Sequence, residues 1–510
     1  MSSDEISKLT NELGKIALLG LLAPEQQLAF PEQVFERNVL ESAIKAGILT
    51  RQKVLKGMKS HNSIQFLHKT FQECCAGKYL QSLIQTDPVE FQKNLDKMIN
   101  SRSNDFEYVL RFCAGDNMTC TNSILQTLAK VEDTMEIGLD CYFEGQSKDL
   151  PPLEFMKSVL TDQIDIVRWN RDTLNSFTYF LRNVHTSTVE NKLTDYLDNV
   201  QSVQLLGCDL GGCMSDLVDS MSLMTNLSKM ELTGCTLNES TEEYSALSGA
   251  ASSAEDMTHI APALCDLPNL VELLLVGNDS LGGSAASWAH HFKKMKNLKK
   301  LVLIGCSLTG EDMTHIAPAL CDLPNLVELD LVGNGSLGGS AALWAHHFKK
   351  MKNLKQLVLH GCSLAGEDMT HIAPALCDLP NLVELLLVGN GSLGGSAASW
   401  AHHFKKMKNL KQLVLYGCSL TGEDMTHIAP ALCDLPNLVK LDLLINGSLG
   451  GSAASWTHHL KKMEHIQSLF LSGCSLRGEA MKHIAPALYG DMTHIAPALC
   501  DLPNLVQLDL

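Results

Sequence analysis

The chain has 510 residues, a formal charge of −17, and is 45% apolar but only 5% aromatic. That composition supplies a sizeable core and excludes a collagen-like, disordered or small disulfide-stapled chain. So acidic a surface argues against nucleic-acid or anionic-membrane partners, and no stretch approaches the ~18 apolar residues of a membrane span.

The first 195 residues show no repeat and read as helical with one small hairpin. Ile16 to Ala23, IALLGLLA, is short and preceded by polar and acidic residues, so it is not a signal peptide and the chain is expected to be cytoplasmic. Its 17 cysteines are then expected to be reduced and its glycosylation sequons inert. Leu13, Ile16, Ala17 and Leu21 have helical spacing, and a second helix is expected over about Pro31 to Ala46. AGILTRQKV leads into a strand and turn. Ser63 to Leu83 returns as strand into helix, with Phe71, Cys74 and Cys75 on one face. Further helices are predicted around Phe106–Cys113, Ser123–Val131, Leu153–Val167 and Asp172–Val184.

Internal repetition dominates the rest. EDMTHIAPALCDLPNLV recurs with its Met at 257, 313, 369 and 425, steps of 56 residues, and each 56-mer holds two half-units of 28. LVELDLVGNGSL and LKQLVLHGCSL both fit L-x-x-L-x-L-x-x-[N/C]. In that pattern Leu298, Leu301 and Leu303 point inward from a short strand. Asn278 or Cys306 sits where the chain turns into the core, bonding neighbouring backbone. A helix follows: Ser284 is the expected N-cap, and Trp288, Phe292 and Met295 share a face. The other half-unit repeats this with Met257, Ile260, Ala261 and Leu264, but Pro262 predicts a short or late-starting helix. Seams begin at Val200, Leu227, Leu270, Leu298, Leu326, Leu354, Leu382, Leu410, Leu438, Ile466 and Leu505, about eleven repeats. Asn238 to Ser252 is a polar insertion, and the doubled HIAPAL at His483 and His494 is a slipped duplication. Such units bury their faces only by stacking, so an α/β leucine-rich-repeat horseshoe is expected, with a parallel sheet inside and helices outside. Alternating Asn and Cys 28-mers resemble the ribonuclease-inhibitor class of these repeats.

Gly310–Ala365 and Gly366–Thr421 differ at four of 56 positions: Asp330/Leu386, Leu343/Ser399, His360/Tyr416 and Ala365/Thr421. Two of the four fall on strand positions that face outward from the concave side. One variable column is Ile304, His360, Tyr416 and Ser472; another is Leu274, Asp330, Leu386 and Asp442. Together with Glu272, Lys300, Glu328, Gln356 and Gln412 these are the candidate ligand contacts, on a platform suited to a protein partner. Basic half-units around Lys293, Lys294 and Lys296 alternate with acidic ones around Glu255, Asp256 and Asp266, a surface pattern that tunes neighbour pairing.

Catalytic and metal chemistry is not expected. His259, His290 and His291 recur two repeats apart, ~10 Å at strand spacing, too far to share a metal, and read as a solvated helix face. The CDLP cysteines (Cys265, Cys321, Cys377, Cys433, Cys500) read as core. Cys208 and Cys213 form a C-x4-C with no second pair. Gly14–Lys15 and Gly77–Lys78 lack the P-loop Ser/Thr.

ELGKIALLGLLAPEQQLAF, FLHKTFQECCAGKYL and YVLRFCAGDN resemble the winged-helix end and second helical domain of the NOD-like receptor (NLR) family, nearest to its CARD-containing inflammasome type. FLHKTFQE matches F-x-H-x-[ST]-F-Q-E. The resemblance implies a partial winged-helix-like region over 1–70, a helical domain over 71–195 and repeats over 196–510. It assigns His68 an ADP contact, ATP or ADP being bound only with a NACHT module upstream, since the sequence opens after the place of the P-loop. It further implies a non-enzymatic innate-immune signalling receptor or fragment, sensing a protein ligand or co-receptor and self-associating within a larger receptor. The rival readings are a ribonuclease-inhibitor-like enzyme inhibitor and a truncated gene product.

Overall fold

The computed structural model describes residues 3–56, 59–146, 148–191, 196–235, 261–262, 264–476 and 507–509. The chain divides into two compact units, Met1–Ile164 with Trp169–Val200, and Asp165–Arg168 with Gln201–Leu510.

The first unit opens with helix α1 (Ser3–Leu21), strand β1 (Ala29–Pro31), helix α2 (Arg37–Lys45), strands β2 (Leu49–Lys56) and β3 (Lys59–Phe66), and helix α3 (Lys69–Thr86). The strands form an antiparallel sheet in the order β1-β3-β2. Helices α4 (Pro88–Arg102), α5 (Glu107–Ala114), α6 (Met118–Leu128), α7 (Met135–Glu144), α8 (Leu153–Val159) and α9 (Arg171–Asn191) follow. Leu13, Ala17, Ile64, Ala76 and Leu80 are fully buried in a shared core. A Cβ on Gly14 would run into the Cys75 carbonyl, and one on Gly77 would sit 2.8 Å from the Val109 carbonyl. The two Gly-Lys pairs therefore serve close helix packing.

Three sequence expectations are corrected in this unit. The helix expected over Pro31–Ala46 begins only at Arg37, because Pro31 and Phe35 are extended around a short 3-10 turn. Phe71 is exposed; it falls in the first turn of α3, and the buried face carries Gln72, Cys75, Ala76, Leu80 and Leu83. The helix expected over Leu153–Val167 stops at Val159, and Gln163–Val167 is a strand, β4. Ile164 and Ile166 are buried and their neighbours exposed, the period-2 pattern of a half-buried strand.

β4 heads a twelve-stranded sheet whose order follows the sequence. Its other strands are β5 (Ser202–Leu206), β6 (Lys229–Thr233), β7 (Glu272–Val276), β8 (Lys300–Ile304), β9 (Glu328–Asp330), β10 (Gln356–Val358), β11 (Glu384–Leu386), β12 (Gln412–Val414), β13 (Lys440–Asp442), β14 (Ser468–Phe470) and β15 (Gln507–Asp509). From β5 onward neighbours run parallel, and Glu272 pairs Lys300, which pairs Glu328, a register of 28 residues. Leu301, Leu303, Cys306 and Leu308 are fully buried below the sheet.

The Asn and Cys positions lock one repeat to the next. The buried Asn390 amide donates to the Leu359 and Leu387 carbonyls at 2.8 Å, and its oxygen accepts from Leu364 N at 3.0 Å. Cys418 Sγ, a smaller group, donates to the Leu387 carbonyl of the preceding repeat at 3.1 Å and lies 3.6 Å from the Tyr416 carbonyl. Trp288, Trp344, Trp400 and Trp456 are fully buried among the helices.

The proline-bearing helices are not shortened. Gly310–Leu320, Gly366–Leu376 and Gly422–Cys433 start at their caps and carry Pro318, Pro374 and Pro430 in the last turn. A proline there costs one late hydrogen bond and leaves the rest of the helix intact. Met257 and Ile260, the Asn238–Ser252 insertion, His483, His494, Leu505 and Cys500 lie outside the described residues. Ser284 occupies an N-cap position, but its hydroxyl donates to the Leu281 carbonyl, 2.9 Å, and caps nothing. The Asp312 carboxylate of the following repeat accepts from Gly283 N at 3.0 Å instead. In the next copies Asp368 accepts from Gly339 N (2.8 Å) and Ala341 N (3.0 Å), and Asp424 from Gly395 N (2.7 Å) and Ala397 N (3.1 Å). These aspartates are buried clamps, which corrects the reading of their column as an exposed acidic layer. A carboxylate meeting two orphan N–H groups at a helix start satisfies both and suits the helix dipole. The lysines of the basic half-units reach backbone: Lys296, Lys352 and Lys408 donate to the Asp322, Asp378 and Asp434 carbonyls, just beyond the ends of the following repeat's helices.

Candidate functional site: the open face of the repeat sheet

Alternation along each short strand sends Leu side chains into the core and leaves three positions per repeat on the opposite face. Sheet register aligns these positions into columns 28 residues apart. Every candidate contact named from the sequence lies on this face and is at least partly accessible. Glu272, Lys300, Glu328, Gln356 and Gln412 form the first column, and Leu274, Asp330, Leu386 and Asp442 belong to the second. Ile304, His360, Tyr416 and Ser472 belong to the third; His360 is exposed and Tyr416 is 37% exposed.

Reading the copies every 56 residues left gaps in each column. Glu384 and Lys440 continue the first. Val302, Val358 and Val414, almost wholly buried, fill the gaps in the second, which runs on through Phe470 to Asp509. Backbone bonds beyond the short strands bring Val332, Val388 and Leu444 into the third. The 28-residue half-unit was the signal that would have found them.

Lys300 pairs Glu328 at 3.1 Å, and the Lys440 ammonium lies 5.6 Å from the centre of the Phe470 ring. Asp330 accepts from Val332 N at 2.9 Å and Asp442 from Leu444 N at 3.1 Å. Burial pushes the Asp330 carboxyl up, against the Val332 N–H and the nearby Lys300 and His360.

The helix side holds no assembled chemistry among the described residues. No group of three or more His, Cys, Asp or Glu there is placed to hold a metal. Cys208 and Cys213 are buried, their thiols donating to backbone carbonyls. The described CDLP cysteines, Cys265, Cys321, Cys377 and Cys433, prove half-buried, not core: each sits at a helix end facing the next repeat. Two of them approach imidazoles, Cys265 Sγ to His291 Nδ1 at 3.4 Å and Cys433 Sγ to His459 Nδ1 at 3.6 Å. His290, His346, His402 and His458 are solvated as expected, but the second His of each pair is half-buried. Burial pushes the Cys433 thiol up to about 11, and burial with neighbouring His458 and Lys462 lowers His459. Both shifts hold the pair neutral, the opposite of an activated thiolate.

In the first unit His68 is exposed at the N-cap of α3, its Nδ1 accepting from Thr70 N at 3.2 Å. An open polar cleft is lined by Thr10, Asn11, Lys78, Gln81, Ser82, Gln85 and Asn117, where Gln81 donates to the Cys113 and Gly115 carbonyls. No helix among the described residues is long and apolar enough to cross a membrane.

A parallel sheet with one strand every 28 residues, Leu inside, and Asn or Cys at each inward turn defines a leucine-rich-repeat solenoid preceded by a helical unit. Among solved structures, 94 chains match. The TLR13 chain of a TLR13–ssRNA13 complex is 17% identical over 57% of this chain, with a TM-score of 0.35, and the match spans 37% of that chain's length. An internalin (InlF) from Listeria monocytogenes is 16% identical, covering 66% of this chain and 94% of its own, with a TM-score of 0.32. The leucine-rich-repeat protein LegL7 from Legionella pneumophila is 18% identical, covering 60% and 93%, with a TM-score of 0.37. No family model matches the sequence. No curated protein matches it.

Proposed function

We infer that this protein is a non-enzymatic binding scaffold of the NLR type, holding a protein ligand on the open sheet face. The carrying observation is where the near-identical copies diverge. Asp330/Leu386 and His360/Tyr416 change on solvent-facing sheet positions, while the buried Leu, Asn, Cys and Trp columns of those copies are kept. The test compares affinity capture by the purified chain with that by Leu386→Asp and Tyr416→Ala, and by a helix-side control, Leu343→Ser. The aspartate and the serine each already occur in a sister copy, so the fold tolerates them. Proteins retained by Leu343→Ser and lost from both sheet-face variants support the reading; captures indifferent to the sheet-face variants refute it.

The receptor role rests on FLHKTFQE and on the order of the two units. His68 would then contact ADP only together with a nucleotide module, so ADP alone should not raise the melting temperature of this chain. A rise abolished by His68→Ala would place a nucleotide site within it.

A second reading, an inhibitor of a basic enzyme, is favoured by the acid excess on the sheet face. Glu272, Glu328, Glu384, Asp330 and Asp442 face only Lys300 and Lys440 from β7 to β14. Salt-sensitive binding of a basic ribonuclease would support it.

A further inference from the structure

Asp330 and Asp442 occupy the same column four strands apart, aligned through Val358, Leu386 and Val414. At ~4.8 Å per strand the two carboxylates stand ~19 Å apart. Each accepts one backbone N–H and neither is in an ion pair with a described residue. The surface between them carries one polar side chain over two columns, the exposed His360 beside Asp330; Leu386, Val388 and Tyr416 are accessible, and Val358 and Val414 seal the floor. It is a largely apolar band, interrupted by His360, with an acid outside any ion pair at each end.

Just beyond, Ile445 is 55% exposed with φ at +55°. The equivalent positions are Gly277, Gly333 and Gly389, all at positive φ. A β-branched residue in left-handed backbone is costly, and here it leaves an apolar group more than half exposed, beside Leu444 and Gly473.

We propose that this band receives an amphipathic α-helix of a partner protein, lying across the strands with two Lys or Arg residues meeting Asp330 and Asp442. The proposal rests on the sheet face being the binding face. A helix keeps positions i, i+11 and i+14 on one side, rising ~16.5 and ~21 Å, and flexible basic side chains cover the difference from ~19 Å. Positions i and i+7 also share a side but span only ~10 Å. An extended peptide could cover the distance, but it would lay unpaired N–H and C=O groups on apolar side chains. The sheet's own backbone is already paired strand to strand. Burying unpaired polar groups is unfavourable, and a helix satisfies its own.

The test uses fluorescence anisotropy on the full chain with labelled, side-chain-stapled 18-residue helical peptides. They share one apolar face and carry two lysines at i/i+11, i/i+14 or i/i+7; an unstapled, proline-interrupted peptide of like composition is the extended probe. The expected result is that i/i+11 or i/i+14 binds at least ~10-fold more tightly than i/i+7. That preference should vanish in Asp330→Asn/Asp442→Asn and fade with added salt. Ile445→Gly should weaken binding while raising the melting temperature, a combination that misfolding does not produce. Equal binding of the i/i+7 peptide, tighter binding of the extended probe, or displacement of every peptide by a second copy of the chain overturns the helix. If the helix fails while Leu386→Asp and Tyr416→Ala still abolish capture, the binding-face reading stands. If peptide binding and capture both ignore the sheet-face variants, both fall.

Discussion

Single residues show where the copies are unequal. Thr309 and Thr421 cap their helices with a hydroxyl that donates to the Asp312 or Asp424 carboxylate (2.7 and 2.8 Å) and accepts from that aspartate's N–H. The third copy has Ala365 there, and only its backbone N–H reaches Asp368, at 2.9 Å. Ala365→Thr should therefore gain about 0.5–1 kcal/mol, seen as a higher urea midpoint with an unchanged slope. No gain would mean that the aspartate clamp alone saturates the cap. The Leu, Asn and Cys positions were legible from spacing because each has one stereochemical job repeated many times. Ile445 was not, since one residue departing from a glycine column has no period and its left-handed backbone is visible only in coordinates.

At the scale of the element, the signal missed was Thr-Gly-Glu-Asp, a capping box whose aspartate serves two helices at once. Sequence reasoning counted that aspartate as surface charge because local spacing cannot show that the preceding repeat's backbone lies against it. Its chemistry is testable by pH. Burial pushes the Asp424 carboxyl up, but N–H donors from Gly395, Thr421 and Ala397, with the Thr421 hydroxyl, outweigh it and hold it below its ordinary value. A carboxyl lowered on folding stabilises above its unfolded pKa, and that stability is lost as pH falls through the folded one. Asp424→Asn should therefore be less stable than the parent at pH 7 by about 1–3 kcal/mol, with the gap narrowing below about pH 4. Urea midpoints of the two proteins at pH 7, 5 and 3 check this; a gap constant down to pH 3 would show that the charge is not what clamps the helices. The prolines and the strand β4 teach the same lesson: a residue's cost depends on which turn it occupies, and a five-residue alternation is easily absorbed into a neighbouring helix.

At the scale of the whole molecule, the repeat cysteines at the inward turns and at the CDLP helix ends form two separate columns along the stack, and they should behave as two chemical populations. Cys306, Cys362, Cys418 and Cys474 are buried under the sheet, each thiol donating to a carbonyl of the preceding repeat. Burial pushes Cys306, Cys362 and Cys418 up to about 12. Cys321 and Cys433, half-buried at the helix ends, are pushed up to about 11 by burial, with Lys350 and Lys462 opposing. The thiolate is the reactive form, so even the accessible column should alkylate slowly at neutral pH and faster as pH rises. The buried column needs more than deprotonation. A repeat in a solenoid is held only by its neighbours, so exposing Cys362 or Cys418 requires the flanking repeats to open as well. Iodoacetamide labelling, mapped by peptide mass spectrometry across a urea series, should modify Cys321 and Cys433 in native buffer. Cys362 and Cys418 should label only in the unfolding transition, and together. Native labelling of all four at one rate would mean that the inner column is not sealed, and with it the inward turn that aligns the open sheet face.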